Sequence, residues 1–320
     1  MNRREFIRSA LAGGVLMATS ELPLAAEDNP SVFPQRGRYE RLALGYVTVR
    51  AGARKPFSIL HISDTHLTAA APDEDVKKLR LMLARTKTFG GRQEEALRDS
   101  LAWARLNVDY VLHTGDLIDW QSNANFALVK KYFGERMFGA VGNHEYSSDL
   151  WLSEPKQEKT EAGKARTRAR LADAYPMDIA FSSQIVNGVN FVTIDDAYGT
   201  VTAEQVRRFG DEVAKGLPII LCMHVPFFTD LIWQLTMRYW RDHDKKFRNA
   251  AVPSPSSDYK RQLEDKTTRD FIAYLKSEKL LKGLLVGHQH VTMEDRFSPT
   301  ATEYAVGGNF MFTGREVLFT

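Results

Sequence analysis

The sequence predicts an α/β fold, and three observations carry that prediction. Short apolar runs of strand length alternate along the chain with segments of helical periodicity. Five of the runs end in residues able to ligate a metal: Asp64 with His66, Asp116, Asn143, His224, and His288 with His290. In α/β sheets ligands bind outside the carboxyl ends of strands, where these side chains fall. A chain of 320 residues, 43% hydrophobic and 26% charged, is also long and apolar enough to bury a large core.

Residues 1–26 read as a targeting segment. Arg3 and Arg4 precede an apolar stretch from Ala10 to Ala18. That stretch is shorter than the about 20 residues a bilayer requires, so no stable membrane span is expected. Ala25 and Ala26 offer a cleavage site. The stretch Asn2-Arg3-Arg4-Glu5-Phe6-Ile7-Arg8 resembles a twin-arginine export signal, with Asn2 where Ser or Thr is commoner. The resemblance implies the twin-arginine export machinery as a partner, transport of the folded protein, and a periplasmic or extracellular location. Residues 27–40, with Pro30 and Pro34, read as a linker or surface arm.

Residues 41–50 read as a strand, with Leu42, Leu44 and Tyr46 on one side, Val47 and Val49 on the other, and a bulge at Tyr46-Val47. The run from Phe57 to Ser63 is the next strand, ending in Asp64-Thr65-His66. Residues 74–88 and 92–106 predict two helices split by Phe89-Gly90-Gly91. Val76, Leu79 and Leu83 mark the apolar face of the first; Leu97, Leu101 and Ala104 mark that of the second. Tyr110, Val111 and Leu112 form a strand that runs into Gly115-Asp116. A helix carrying Phe126, Val129 and Phe133 leads to the strand 137–141 and then to Gly142-Asn143-His144-Glu145.

Residues 150–172, with Lys164, Arg166, Arg168 and Arg170, predict a solvated helix. Asn187-Gly188 between two β-rich runs predicts a hairpin. Thr202 and Gln205 form a capping box, so a helix starts near 203. Residues 218–223 predict a buried strand holding Cys222, the single cysteine, as a structural thiol. Residues 227–265 read as a substrate-side insertion. There Asp230 caps a helix with Trp233, Met237 and Trp240 on one side and Ile232, Leu235 and Tyr239 on another, and a loop follows at 253–257. Its aromatic residues are placed either to pack or to stack on an apolar leaving group. A helix at 268–279, a strand at 284–286 and C-terminal strands with a turn at Gly307-Gly308 complete the chain.

The net charge of +3, about +2 without the first 26 residues, gives no long-range field for nucleic acid. A nuclease needs a basic groove, so that reading is disfavoured. A small polyanion would be held by local charge such as metal ions. Asp64/His66 and His288/His290 each skip one residue, which puts both members of a pair on one side of an extended chain. The set mixes oxygen and imidazole nitrogen without thiolate. That argues against structural zinc and iron–sulfur, and for Mn, Fe, Zn or a mixed pair of divalent or trivalent ions. Two such ions about 3.5–4 Å apart clamp a phosphate and acidify a bridging water for in-line attack. His144, directly after Asn143, leaves the loop on a different side and can donate a proton.

The order Asp64-x-His66, Gly115-Asp116, Gly142-Asn143-His144-Glu145, His224 and Gly287-His288-x-His290 resembles the calcineurin-like metallophosphoesterase family over residues 57–310. The resemblance implies a four-layer αββα sandwich of two mixed sheets flanked by helices, within a domain spanning 27–320. It implies an exported dinuclear phosphoesterase acting on small phosphodiesters or phosphomonoesters. Asp64, His66 and His290 would hold one metal, Asn143, His224 and His288 the other, and Asp116 would bridge. Asn143 would also stabilise charged oxygens. His144 would act on the leaving oxygen, held by Glu145. Asp119 stands where purple acid phosphatases have tyrosine, so no tyrosinate ligand is expected. Tyr146-Ser147 follows the Asn-His-Glu block, and the chain ends 30 residues after His290, which disfavours the 5′-nucleotidase branch. A non-catalytic envelope binding protein on the same scaffold is the competing reading. The intact ligand set argues against it.

Overall fold

Strands that bury both faces dictate a layered structure, and the central strands here do so: every residue of Phe57–Ile62 and of Val189–Ile194 is buried. The computed structural model describes residues 41–134, 136–147, 160–243 and 257–320. The expected signal segment, the linker, and positions 253–256 of the expected loop lie outside the described residues. The strands are β1 (Ala43–Val49), β2 (Phe57–Ile62), β3 (Tyr110–Thr114), β4 (Met137–Ala140), β5 (Phe181–Val186), β6 (Val189–Ile194), β7 (Ile219–Cys222), β8 (Leu281–Val286), β9 (Met293–Arg296), β10 (Thr302–Ala305) and β11 (Thr313–Phe319). One mixed sheet has the order β1-β11-β2-β3-β4 and the other β5-β6-β7-β8-β10-β9.

The sheets pack face to face through one apolar cluster. Phe57, Ile59, Leu112, Phe138, Val317 and Phe319 of the first sheet meet Val189, Phe191, Ile220, Cys222 and Leu285 of the second. Phe191 lies 6.0 Å from the ring of Phe57, 5.2 Å from Phe138 and 5.1 Å from Phe319. Truncating such a fully buried ring costs about 3–5 kcal/mol. Neighbouring positions on the same strands face outward. Leu60, Ile62 and Val111 pack with Leu97, Trp103 and Val129. Val192, Leu221 and Val286 pack with Phe209, Phe271 and Leu275. Those partners come from helices α2 (Gln93–Asn107), α3 (Asn123–Tyr132), α5 (Ala203–Val213) and α8 (Lys266–Ser277). The result is the expected four-layer sandwich of helices, sheet, sheet and helices. Cys222 is a buried free thiol, as its apolar run implied.

Local signals resolved as expected where they depend on nearby chain alone. Asn187 and Gly188 have φ of 48° and 85°, the pair of left-handed residues that a tight hairpin requires. The Thr202–Gln205 capping box is formed at both of its hydrogen bonds.

Four expectations are corrected. β1 pairs with β11 in unbroken register from Ala43–Thr313 to Val49–Phe319, without a bulge. Its apolar residues lie on both faces because Leu44 packs on the outer cluster and Val47 and Val49 on the inter-sheet one. In helix α1 (Val76–Thr88), Val76 and Leu83 are exposed and Leu81 is the buried residue, so the helix turns a different face inward. Helix α4 (Glu161–Ala172) is not wholly solvated, because Lys164 is fully buried. Helix α6 (Asp230–His243) is capped by Thr229, whose Oγ1 accepts from the Ile232 amide, so Asp230 is its first helical residue.

Candidate metal centre

β2, β3 and β4 are parallel neighbours in one sheet, and β6, β7 and β8 in the other. Their carboxyl ends therefore share an edge, and the loops after β2, β3, β4, β7 and β8 converge there. The turns are tight. Asp64, His66, Asp116, His288 and His290 all have positive φ, between 53° and 68°. This left-handed region costs a non-glycine residue roughly 1–2 kcal/mol, so strain is concentrated at the edge. Hydrogen bonds between loops hold it: Asp64 N donates to Gly115 O (2.9 Å), His66 N to Asp116 O (2.9 Å) and His288 N to Asp64 Oδ2 (2.9 Å). At Gly115, with φ +95°, an added Cβ would lie 2.5 Å from His224 Nδ1; at Gly142 it would lie 2.2 Å from Asp116 Oδ1. Both glycines are required by close approach to the ligand side chains.

The seven side chains named from the sequence come together in two groups. His290 Nε2 lies 3.4 Å and His66 Nε2 3.8 Å from Asp64 Oδ1, and the two nitrogens are 3.2 Å apart. His224 Nε2 lies 3.2 Å from Asn143 Oδ1 and 3.1 Å from His288 Nδ1. Asp116 Oδ2 stands between the groups, 3.9 Å from His66 Nε2 and 3.2 Å from His224 Nε2.

Three of the imidazoles have their other nitrogen engaged. His66 Nδ1 meets Asp119 Oδ1 (3.1 Å), His224 Nδ1 donates to the Thr114 carbonyl (2.7 Å), and His290 Nδ1 meets the Tyr239 hydroxyl (3.4 Å). Each Nε2 is thereby turned to the centre, the arrangement metal-ligating histidines adopt. Burial holds the His66 pKa below its usual value, which keeps its lone pair available. Nitrogens facing nitrogens at 3.1–3.2 Å are bridged either by the hydrogen of one ring or by a metal ion seated between them. Asp64 Oδ1 is buried without a hydrogen-bond partner. The donor set thus fits two metal ions, one at Asp64, His66 and His290 and one at Asn143, His224 and His288, with Asp116 reaching both.

Two further carboxylates frame the site. Asp119 takes His66 Nδ1, His144 Nδ1 (2.9 Å) and the Arg85 guanidinium (Nε 2.6 Å, Nη2 2.9 Å). Burial opposes its charge, but His144, Arg85 and His66 outweigh burial and hold Asp119 well below the usual carboxylate range. Burial also disfavours the His144 imidazolium; Asp116 and Asp119 overcome this and push its pKa up to about 9. Glu145 was expected to hold His144, and the structure corrects that. Its carboxylate accepts from the amides of Asp116 (2.9 Å), Leu117 (2.6 Å), Ile118 (3.3 Å) and Gly142 (2.7 Å), and from the Tyr175 hydroxyl (3.0 Å). Glu145 is fully buried and its bonds shape the Asp116 loop. Asp119, not Glu145, meets the His144 imidazole.

The model of the calcineurin-like phosphoesterase family matches residues 57–292. The chain belongs to that family. Among curated proteins none matches it. Solved structures similar to this chain include a dimetal phosphatase from Danio rerio, at 14% identity and TM-score 0.44, over 80% of this chain and 88% of that one. A purple acid phosphatase from yellow lupin matches at 12% identity and TM-score 0.42, over 80% of this chain and 44% of its own. A 5′-nucleotidase from Candida albicans matches at 11% identity and TM-score 0.37, over 84% of this chain and 47% of its own. This chain spans under half the length of the last two.

Some site residues escaped the sequence reading. Arg85 and Phe89 carry no motif of their own. Asp196, whose Oδ1 accepts from the His224 and Val225 amides (2.9 and 3.2 Å), fixes the loop that delivers His224. Lys164 Nζ bonds Asp195 Oδ1 (2.9 Å), and Asp195 Oδ2 accepts from Tyr146 OH (2.7 Å), which ties α4 to the Asn143–Ser147 loop. His61 and His113 are buried and bond the hydroxyls of Thr114 and Thr65 at 2.9 Å.

Proposed function

We propose that this chain is an exported dinuclear-metal phosphoesterase that hydrolyses small phosphodiesters or phosphomonoesters. The observation that carries the reading is the position of Asp116 Oδ2 between two groups of imidazole, amide and carboxylate donors. When bound, two divalent ions supply Lewis acidity toward phosphoryl oxygens and an acidified water as nucleophile. Asp64, His66 and His290 would hold one ion, Asn143, His224 and His288 would hold the other, and Asp116 would serve both. His144 presents Nε2 to the leaving oxygen, because Asp119 occupies Nδ1. Asp119 keeps the imidazole oriented and favours its protonated form, as a general acid requires. The Asn143 amide adds a neutral donor for a charged phosphoryl oxygen.

The test is metal-free protein reloaded with Mn or Zn and assayed on p-nitrophenyl phosphate and its bis ester, with metal content measured in parallel. Hydrolysis that tracks loading of two ions per chain is expected. Full loading without hydrolysis of any phosphoester would overturn the reading. Export through the twin-arginine machinery to the periplasm or the exterior is supported by Arg3 and Arg4. Replacing both by Lys should leave the protein in the cytoplasm; unchanged export would remove that part of the proposal.

A further inference from the structure

The metal group at Asp64 is walled by aromatic rings from three separate elements. Phe89, in the turn after α1, stacks on His66 with centroids 4.2 Å apart and planes 8° from parallel. Phe310, in the short 3-10 helix Asn309–Met311, sets its ring 5.9 Å from His66 and 5.1 Å from His290. Tyr239 of α6 stands perpendicular to His290 at 5.7 Å, and Trp240 lies 6.3 Å from the same imidazole.

The wall is built rather than incidental. Asn309 N donates to Ser63 O (2.7 Å), Phe310 N to Asp64 O (3.3 Å) and Asn309 Nδ2 to Ser100 Oγ (2.9 Å), which pins the 3-10 helix to the ligand loop. A Cβ on Gly308 would meet the Phe310 ring at 2.5 Å, so glycine there lets the ring fold back toward the imidazoles. Phe89 is buried and backs His66, whereas Phe310, Tyr239 and Trp240 are only half-buried. All three rings lie within 6.3 Å of the His290 imidazole, whose side chain is 11% exposed. Partly exposed aromatic rings beside a phosphate-binding centre favour a flat apolar group and give little to a polyol.

We propose that Phe310, Tyr239 and Trp240 bind the organic group of the ester and select aryl or heteroaryl phosphoesters over esters of small polar alcohols. This rests on the phosphoesterase reading above. The test uses phosphonates, which bind without turnover and so separate recognition from leaving-group chemistry. Metal-loaded full-length protein is titrated calorimetrically with phenylphosphonate and methylphosphonate. Phenylphosphonate is expected to bind about tenfold more tightly, as one stacked ring allows. Trp240→Ala and Phe310→Ala should each cut that preference to below about threefold, and Trp240→Phe should keep most of it. Equal binding of the two phosphonates by the wild type, or a preference that survives the Trp240→Ala/Phe310→Ala double variant, would overturn the inference and leave the phosphoesterase reading intact. Failure of both phosphonates to bind would overturn both.

Discussion

The Asp119 side and the Glu145 side of the centre each carry a buried carboxylate near Asp116, and the two do opposite things. Asp119 is surrounded by side-chain cations and imidazoles, which hold its proton affinity well below the usual range. Glu145 faces backbone amides and the like charge of Asp116. Burial and then Asp116 raise its pKa to about 7, against the pull of the amides. A carboxylate whose partners are titratable side chains sets their protonation. One whose partners are amides sets the course of the backbone.

The strongest test of this division is His144→Ala. With the proton donor gone, turnover should fall about 10²–10⁴-fold while two ions per chain are retained. Loss of metal in that variant would break the distinction between ligand and acid. Glu145→Met should act on stability instead. It leaves several buried amides without an acceptor, and a cost of about 3–5 kcal/mol is expected, read from the denaturant midpoint. A variant of wild-type stability would show that the amides find other partners. Asp119→Asn should lower activity or metal affinity about 10–100-fold, because it loosens the orientation of both His66 and His144. Its pH–rate profile should lose its basic limb at lower pH than the wild type, since His144 loses a charge that raises its pKa. An unshifted limb would assign that limb to another group.

The smallest effect is on the pH dependence of stability in metal-free protein. His144 has a folded pKa of about 9, above its unfolded 6.5. Its contribution is complete below pH 6.5 and is lost as pH rises through 9. Glu145, raised from 4.5 to about 7, contributes in full below 4.5 and loses that contribution as pH rises through 7. Burial holds His61, His66 and His113 below their usual values, which opposes this trend in the acid half, so net weakening of metal-free wild type is expected from about pH 7 to 9. Asp119→Asn should reduce that slope, as urea midpoints across pH would record.

Much of the centre was legible in the sequence because metal chemistry admits few residue types and strand ends deliver them in order. Asp64, His66, Asp116, Asn143, His224, His288 and His290 could be named from letters alone, and they do meet. The role of Glu145 was misread because adjacency in the chain stood in for contact in space. His144 and Glu145 are neighbours in sequence, yet their side chains serve different partners. The face of α1 was misread for a related reason: with Leu79, Leu81 and Leu83 all apolar, periodicity could not tell which the fold would bury.

By itself the sequence determined the α/β class, the tight Asn187-Gly188 hairpin, the Thr202 cap and the identities of the donor atoms. Each depends on local backbone preference or on which side chains offer a lone pair. Only the tertiary structure decided that β11 crosses into the first sheet between β1 and β2, that Lys164 is buried against Asp195, and that Asp119 holds His144. Those outcomes join residues 25 to more than 200 positions apart, and no local preference specifies them. They are chosen by which arrangement leaves the fewest buried charges and amides unpaired.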